Sequence, residues 1–433
     1  MKRGVLFFVL GLTLFFGAFA FADEEYKFDL SEVEKKPYHI GGYAEFRPVL
    51  FRLDRDAAFY KVRFFNLNEG KTLEEYNGKV QLEGSLEKGI ARLFVRTNSD
   101  LKYSYLGWDH DTSLFEGYLA LKPSSSFTFR LGKQTLLWGK GYAFNPVAFV
   151  SRPKDPDDPE LALEGLYAAS ADYIKSFDGP LKTFSITPVI FPVFDHINDD
   201  FGKINRLNVA GKLYFLLYDT DIDLLALTGK SRTNRAGIDF SKNLTSNLEV
   251  HGEYAFINNQ RKRVIDSQGN ISEHKFDAKS YLLGIRYLTA SDTTFIFEYY
   301  RNGTGFTRLE MKDYFSFIGR GYDLFLAQRN DFLLRKAGSV TEGNYGRSNP
   351  MISYLYLRVS QKEPFNILYF TPAMTGIMNL SDQSLSLSPE LLYAGIKNLE
   401  LRLKAICLVG GKGTDFGEKQ NDYRVEFRVR YYF

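Results

Sequence analysis

Residues 424–433 read RVEFRVRYYF and alternate without a break: Val425, Phe427, Val429, Tyr431 and Phe433 fall in one register, and Arg424, Glu426, Arg428, Arg430 and Tyr432 in the other. An extended strand sends successive side chains to opposite faces, so one face of this segment is apolar and the other largely ionic. A sheet with one wet face accommodates such a strand in water. The rest of the chain decides what the apolar face meets.

The same alternation recurs along the sequence. Lys79, Gln81, Glu83 and Ser85 oppose Val80, Leu82, Gly84 and Leu86; Glu249, His251 and Glu253 oppose Leu248, Val250, Gly252 and Tyr254; Glu400, Arg402 and Lys404 oppose Leu399, Leu401, Leu403 and Ala405. Comparable segments start near residues 39, 89, 112, 127, 166, 181, 206, 220, 233, 278, 293, 351, 365 and 383, which gives about 18 strands, with 16 as the other even count that fits. Residues 39–53 and 58–66 both look extended, and an even count leaves room for only one of them; the other belongs to a loop or an extended first strand.

Connection lengths carry the next step. Tight connections at 87–89, 122–126, 178–180, 219–220, 242–246, 290–292, 362–364 and 397–398 fall at every second junction. The stretches 99–111, 136–165, 194–205, 258–277, 305–350 and 411–421 read as long loops, polar or rich in Gly and Pro. Short turns on one side and long loops on the other are the pattern of an up-and-down transmembrane β-barrel, with the long loops outside the cell. In lipid every backbone polar group must be paired, so the sheet has to close, its outward side chains have to be apolar, and the ionic face has to line the inside.

The amino terminus agrees with export. Lys2 and Arg3 precede an apolar run over 5–16, and Ala20-Phe21-Ala22 precedes Asp23-Glu24-Glu25. These are the parts of a signal peptide over 1–22, cleaved near Ala22, followed by a periplasmic segment over 23–38 and a barrel over 39–433. No later stretch supplies the roughly 20 apolar residues a helical span needs, and the mean hydropathy of −0.25 excludes a multi-span helical protein. The single Cys407 excludes a disulfide framework, and 55 basic against 52 acidic residues carry no nucleic-acid signature.

Two resemblances follow from quoted residues. The aromatic end Tyr431-Tyr432-Phe433 resembles the carboxyl-terminal strand by which bacterial outer-membrane barrels are recognised by the barrel-assembly machinery. The segment FRLGKQTLLWGKGYAFNPVAFVSRPKDPDDPE, residues 129–160, resembles the strand-and-loop segment of porin-like barrels of the alginate-export and uncharacterised porin type, through Arg130, Gly132, Gln134, Trp138 and Gly139. That resemblance implies a monomeric or homotrimeric solute channel in the outer membrane, in contact with lipid and lipopolysaccharide. It names no solute.

Other motifs point nowhere sharper. GKQT at 132–135 and GGKGT at 410–414 do not fit a phosphate loop. None of His39, His110, His196, His251 and His274 stands in a haem or zinc spacing, so no cofactor or metal is expected. The acidic pieces 109–111, 195–200 and 155–160 do not match an EF-hand and read as solvated loop. His251, between Glu249 and Glu253, reads as lumen lining before it reads as a pH-sensitive or catalytic group. Cys407 falls on the outward face as an inert thiol.

The expected function is therefore a porin-like channel for passive diffusion of ions or small polar solutes, not an enzyme. The alternatives are a sheath around another protein of an electron-transfer or export conduit, and an outer-membrane hydrolase. The expected pore lining is Arg92, Arg96, Arg130, Asp172, Lys212, Asp239, Glu249, His251, Glu253, Arg286, Glu298, Glu390, Arg402, Arg424, Arg428 and Arg430, a mixture of both signs. Residues 306–350 are too long for a plain loop. Tyr322, Phe325, Leu326, Phe332 and Leu333 recur there near helical spacing, with Arg329, Arg335 and Lys336 interleaved and Gly338 placed as a stop, which predicts a short helical element folded inward as a constriction formed by Tyr322, Phe325, Arg329, Phe332 and Arg335.

Overall fold

Eighteen antiparallel strands account for the alternating segments. They are β1 (Tyr38–Leu53), β2 (Thr72–Lys88), β3 (Ala91–Ser104), β4 (Gly107–Ser124), β5 (Phe127–Gln134), β6 (Leu166–Ser176), β7 (Leu181–Val193), β8 (Arg206–Leu217) and β9 (Thr220–Gly229). The second half holds β10 (Arg235–Thr245), β11 (Leu248–Ile265), β12 (Ile271–Leu288), β13 (Thr293–Arg301), β14 (Ser353–Gln361), β15 (Phe370–Asn379), β16 (Leu385–Ile396), β17 (Leu399–Val409) and β18 (Asn421–Tyr432). The structure is a computed structural model that describes residues 36–67, 70–159 and 163–433. The signal peptide expected over 1–22 and all but the end of the segment expected over 23–38 lie outside the described residues.

Each strand pairs with the next, and β18 pairs back with β1, so the sheet is closed. The closing ladder runs to the last residue: the Gly42 N–H donates to the Phe433 carbonyl at 3.0 Å and the Phe433 N–H donates to the Gly42 carbonyl at 3.1 Å. Closure removes both sheet edges, which is the condition for a β-sheet to sit in lipid. The outer face carries exposed Leu93, Leu131, Ile285, Phe297, Leu357, Leu403 and Phe427, each one residue out of register with an inward polar or charged side chain. The fold is thus a transmembrane up-and-down β-barrel.

The eight tight connections stand where alternation placed them, though 362–369 is longer than expected. Three expectations are corrected. Residues 99–111 and 258–277 are not long loops: β3 and β4 continue upward and join through Tyr105-Leu106, and β11 and β12 continue to a turn at 266–270. Above the hydrocarbon layer the outer face of a strand no longer has to be apolar, and on β11 it is Lys262, Val264 and Ile265 that turn to the helices of the mouth, so the alternation breaks and the segment reads as loop. Residues 58–66 are not extended: Ala58–Phe64 is a helix, α1, whose Ala58, Phe59, Tyr60 and Phe64 are buried. The short element expected over 306–350 is two helices, α2 (Arg308–Gln328) and α3 (Phe332–Ser339). A capping box starts α2, with the Glu310 N–H donating to the Thr307 hydroxyl and the Thr307 N–H donating to the Glu310 carboxylate.

Among the described residues two large apolar clusters lie inside the barrel, beside a smaller one that joins Leu53 and Leu73 of the wall to Ala57, Tyr60 and Phe64. One, at the mouth, joins α2 and α3 to Phe59, Phe144, Leu282, Tyr354, Tyr356 and Phe416. The other packs Leu136, Trp138, Val147, Phe149 and Val150 of the β5–β6 loop on inward residues of β6–β9 and β11, among them Leu166, Val189, Leu225 and Ala255.

The closed sheet makes a prediction about facing. Phe427→Arg on the outer face should cost about 2–4 kcal/mol of unfolding free energy near mid-bilayer. Glu400→Gln on the inner face of the neighbouring β17 should cost far less, measured by urea unfolding in lipid vesicles; equal losses at both sites would argue against this orientation of the wall.

Candidate functional site

The inner surface is organised by the β5–β6 loop, residues 135–165, which folds back into the barrel. Its first half is held by carboxylates of the wall. The Lys140 and Gly141 N–H groups both donate to Glu253 Oε1 at 2.6 Å, and the Val147 N–H donates to Oε2 at 3.2 Å. Glu298 accepts from the Tyr142 N–H at 2.5 Å and the Ala143 N–H at 3.0 Å. Glycine permits this approach: Gly139 has φ 99°, and a Cβ there would stand 2.7 Å from Glu253 Oε1, while one on Gly141 would stand 2.0 Å from the Phe144 carbonyl.

Side chains extend the same contact. Lys140 Nζ lies 2.9 Å from Asp223 on β9, and the Tyr142 hydroxyl donates to Glu249 at 2.9 Å. Burial pulls the Lys140 ammonium down, but Asp223 outweighs it and the group is held above the usual lysine range. Phe144 stacks on Tyr300 with ring centres 4.6 Å apart.

The second half of the loop meets the opposite wall. Arg402 Nη1 lies 3.1 Å from Asp158, Arg428 Nη1 lies 3.6 Å from it, and Lys404 donates to the Asp157 carbonyl. Burial raises both aspartates. At Asp157 burial prevails; at Asp158 Arg402 and Arg428 outweigh it and hold the carboxyl below its ordinary range. One loop therefore touches β9, β11 and β13 on one side of the lumen and β17 and β18 on the other.

Between Asp155, Asp157 and Asp158 and the inner wall of β1–β4 and β18 remains a cavity of about 290 Å³. Arg47, Lys79, Lys102, Arg424, Arg428 and Arg430 line it together with Glu45, Asp100, Asp109, Asp111 and Glu426. Most of these charges are already paired, as Arg430 is with Glu45 at 2.6 Å and Lys102 with Glu75 at 3.0 Å.

All sixteen side chains expected to line the pore stand on the face opposite the exposed apolar residues, and they fall into clusters. Glu249, His251, Glu253 and Glu298 come together, with Asp239 directly across from Glu253 and Arg286 at 3.9 Å from Glu249. His251 Nε2 is 3.0 Å from Glu298, and its side chain is fully buried; Gly284 makes the room, since a Cβ there would stand 2.1 Å from Nε2. Glu390 holds Arg402 together with Arg358, while Arg428 reaches Glu400 at 2.9 Å. Elsewhere Arg96 bridges Glu83 and Glu116, Arg130 pairs with Asp172 at 3.4 Å, Arg92 with Glu87, Lys212 with Asp223 and Arg424 with Asp157.

Tyr322 and Phe325 are half-buried on the side of α2 that faces α1, Tyr322 beneath Lys61 and Phe325 5.2 Å from the Phe65 ring. Arg329 ends α2 at φ 57°, Phe332 is exposed, and exposed Arg335 pairs with Asp331 at 2.8 Å. The side of α2 turned to the barrel is instead Met311, Tyr314, Phe315, Phe317 and Ile318. Sequence reading missed Asp223, Lys140, Asp157, Asp158, Arg358 and Lys404 as partners. For Asp223 the signal was masked, because TDIDLLALTG carries leucines on both faces.

No family description matches the chain, and no curated protein matches it in sequence. Solved structures do match in fold. OccK11 (OpdR) of Pseudomonas aeruginosa superposes with a TM-score of 0.50 at 11% identity, over 91% of this chain and 95% of that one. OprD of Pseudomonas aeruginosa gives 0.47 at 10% identity over 91% and 95%, and a triple mutant of the Rhodopseudomonas blastica porin 0.43 at 9% over 92% and 100%. The chain has the fold of a porin-type outer-membrane barrel.

The loop contacts predict the effect of losing their central acceptor. Glu253→Ala leaves three buried N–H groups without a partner, each worth about 1–3 kcal/mol. The variant should lose at least about 3 kcal/mol of loop anchoring, read as faster proteolytic cleavage between residues 140 and 160 in an otherwise heat-stable barrel. Cleavage at the wild-type rate would mean that Glu253 does not anchor the loop.

Proposed function

We propose that this chain is a passive channel of the bacterial outer membrane for ions and small polar solutes. The path runs between the Asp155–Asp158 part of the inward loop and the inner wall of β1–β4 and β18. The observation that carries this reading is the charged cavity left open beside a loop that otherwise spans the lumen. Its lining mixes both signs, and the pairs are near enough to balance that a small polar or zwitterionic solute meets no single-sign barrier. Above it, α2 and α3 lie over part of the mouth, and Tyr322, Phe325, Arg329, Phe332 and Arg335 belong to that cover rather than to the narrow part.

The other readings fit less well. A sheath needs a lumen free for another protein, and here the β5–β6 loop occupies it from one wall to the other. A hydrolase needs an accessible base, and His251 is sealed between Glu298, Glu249 and the Tyr142 ring.

Planar-bilayer recordings test the proposal. The purified barrel should conduct, and Asp157→Asn with Asp158→Asn should move the reversal potential toward anion preference, because Arg402 and Arg428 lose their counter-charge. Replacing residues 312–340 by a short Gly/Ser linker should raise conductance less than shortening the β5–β6 loop. A silent wild-type barrel would remove the channel function; an unmoved reversal potential would place the path elsewhere.

A further inference from the structure

The outer face of β11–β13 departs from its apolar pattern at one height. Tyr254, Tyr281 and Arg301 stand directly opposite one another in a single cross-strand row, and Phe256 and Lys279 form the row above. From Tyr287 at the lower rim up to Lys279 is nine residues, the length at which a tilted strand crosses the hydrocarbon layer. Lys279 and Arg301 therefore stand at the level of the outer-leaflet headgroups, over a tyrosine girdle in which the Tyr281 and Tyr299 rings lie 5.9 Å apart.

Both cations are exposed and border a depression of about 460 Å³ lined also by Tyr254, Phe276, Tyr281 and Gly303. Among the described residues neither has a carboxylate within 4.0 Å. The one acid at the rim, Asp277, has an oxygen taken by the Asn259 N–H at 2.9 Å. Higher on the same face stand Arg261, Arg263 and Lys275, with Glu273 bound to Arg261 at 3.3 Å. The stripe thus carries five cations and two carboxylates, on a chain whose charges elsewhere are mostly paired across strands.

We infer that this depression binds a phosphorylated, acylated glycolipid of the outer leaflet. The phosphate sits on Lys279 and Arg301, the acyl chains run down the barrel past Tyr281 and Leu283, and further headgroup anions meet Lys275 and Arg261. Charge complementarity at headgroup height selects this occupant: an unpaired ammonium and guanidinium offer a phosphate several donors, and the apolar wall directly below takes the chains. The inference rests on the outer-membrane placement of the barrel and is independent of conduction through its lumen.

Native mass spectrometry of the intact barrel tests it, with diphosphoryl lipid A as probe. Lys279→Gln and Arg301→Gln should each weaken retention about fivefold and the double variant about 25-fold. Lys312→Gln, an exposed cation of α2, should change nothing. Equimolar inorganic phosphate should fail to displace the lipid, and phosphatidylglycerol should bind less well than lipid A. Wild-type retention by a double variant that still runs as a folded, heat-modifiable barrel would overturn the proposal, as would displacement by free phosphate or equal binding of phosphatidylglycerol. A barrel that binds lipid A without conducting would remove the channel function and leave this site standing; one that conducts but does not bind would do the reverse.

Discussion

The Glu253 carboxylate, with three backbone N–H groups of the β5–β6 loop on its two oxygens, is the contact on which the interior depends. A loop drawn into a barrel brings unpaired amides with it, and inside the lumen only the wall can satisfy them. Glu253 and Glu298 do so as charge-assisted acceptors, the stronger kind of hydrogen bond. Two such acceptors, on β11 and β13 on either side of β12, fix residues 140–147, and that in turn fixes where residues 155–158 arrive. Asp158 then supplies the counter-charge that Arg402 and Arg428 would otherwise lack on the loop side.

The same loop explains which parts of the barrel were legible in the sequence. Where the inner face carries paired charges, as in β2, β17 and β18, strict alternation of charged and apolar residues marks both the strand and its facing. Where the apolar part of the loop covers the inner face, the wall becomes apolar on both sides. Val189, Phe191, Leu225 and Leu227 are buried under Val147, Phe149 and their neighbours, so β7 and β9 keep their length but lose their pattern. Asp223 disappeared into that background. The strand count survived because turns, not faces, separate the strands.

The mouth was legible in kind and not in extent. Helical spacing in Tyr322 and Phe325 and in Phe332 and Leu333 marked real helices, α2 and α3, but they are two, the start of α2 is set by Thr307 and Glu310, and its barrel-facing side lies a turn or more earlier, at Tyr314, Phe317 and Ile318. Aromatic residues scattered over both sides of α2 conceal which side is buried until its partners are known. Those partners come from 58–64, 144 and 354–356, which no local reading brings together. The projecting hairpins of β3–β4 and β11–β12 were misread for another reason: beyond the lipid the outer face no longer has to be apolar, and on β11–β12 it takes charges such as Arg261 and Lys275, so the apolar half of the alternation is broken.

One asymmetry of the barrel unites its inside and its outside. On the side of β6–β13 the loop is bound to the wall by apolar packing and buried acceptors. The open cavity lies against β1–β4 and β18, where opposite charges face each other across strands. A strand wall that is packed on its inner face is a stiff support for groups on its outer face, because its side chains have no free volume to move into. The unpaired cations of Lys279 and Arg301 stand on such a support: β12, which carries Lys279 and pairs with β13 at Arg301, has Ala278, Ser280 and Leu282 buried on its inward side. Inward packing and outward charge at the same height are thus two faces of one segment, and the open cavity lies against the opposite wall.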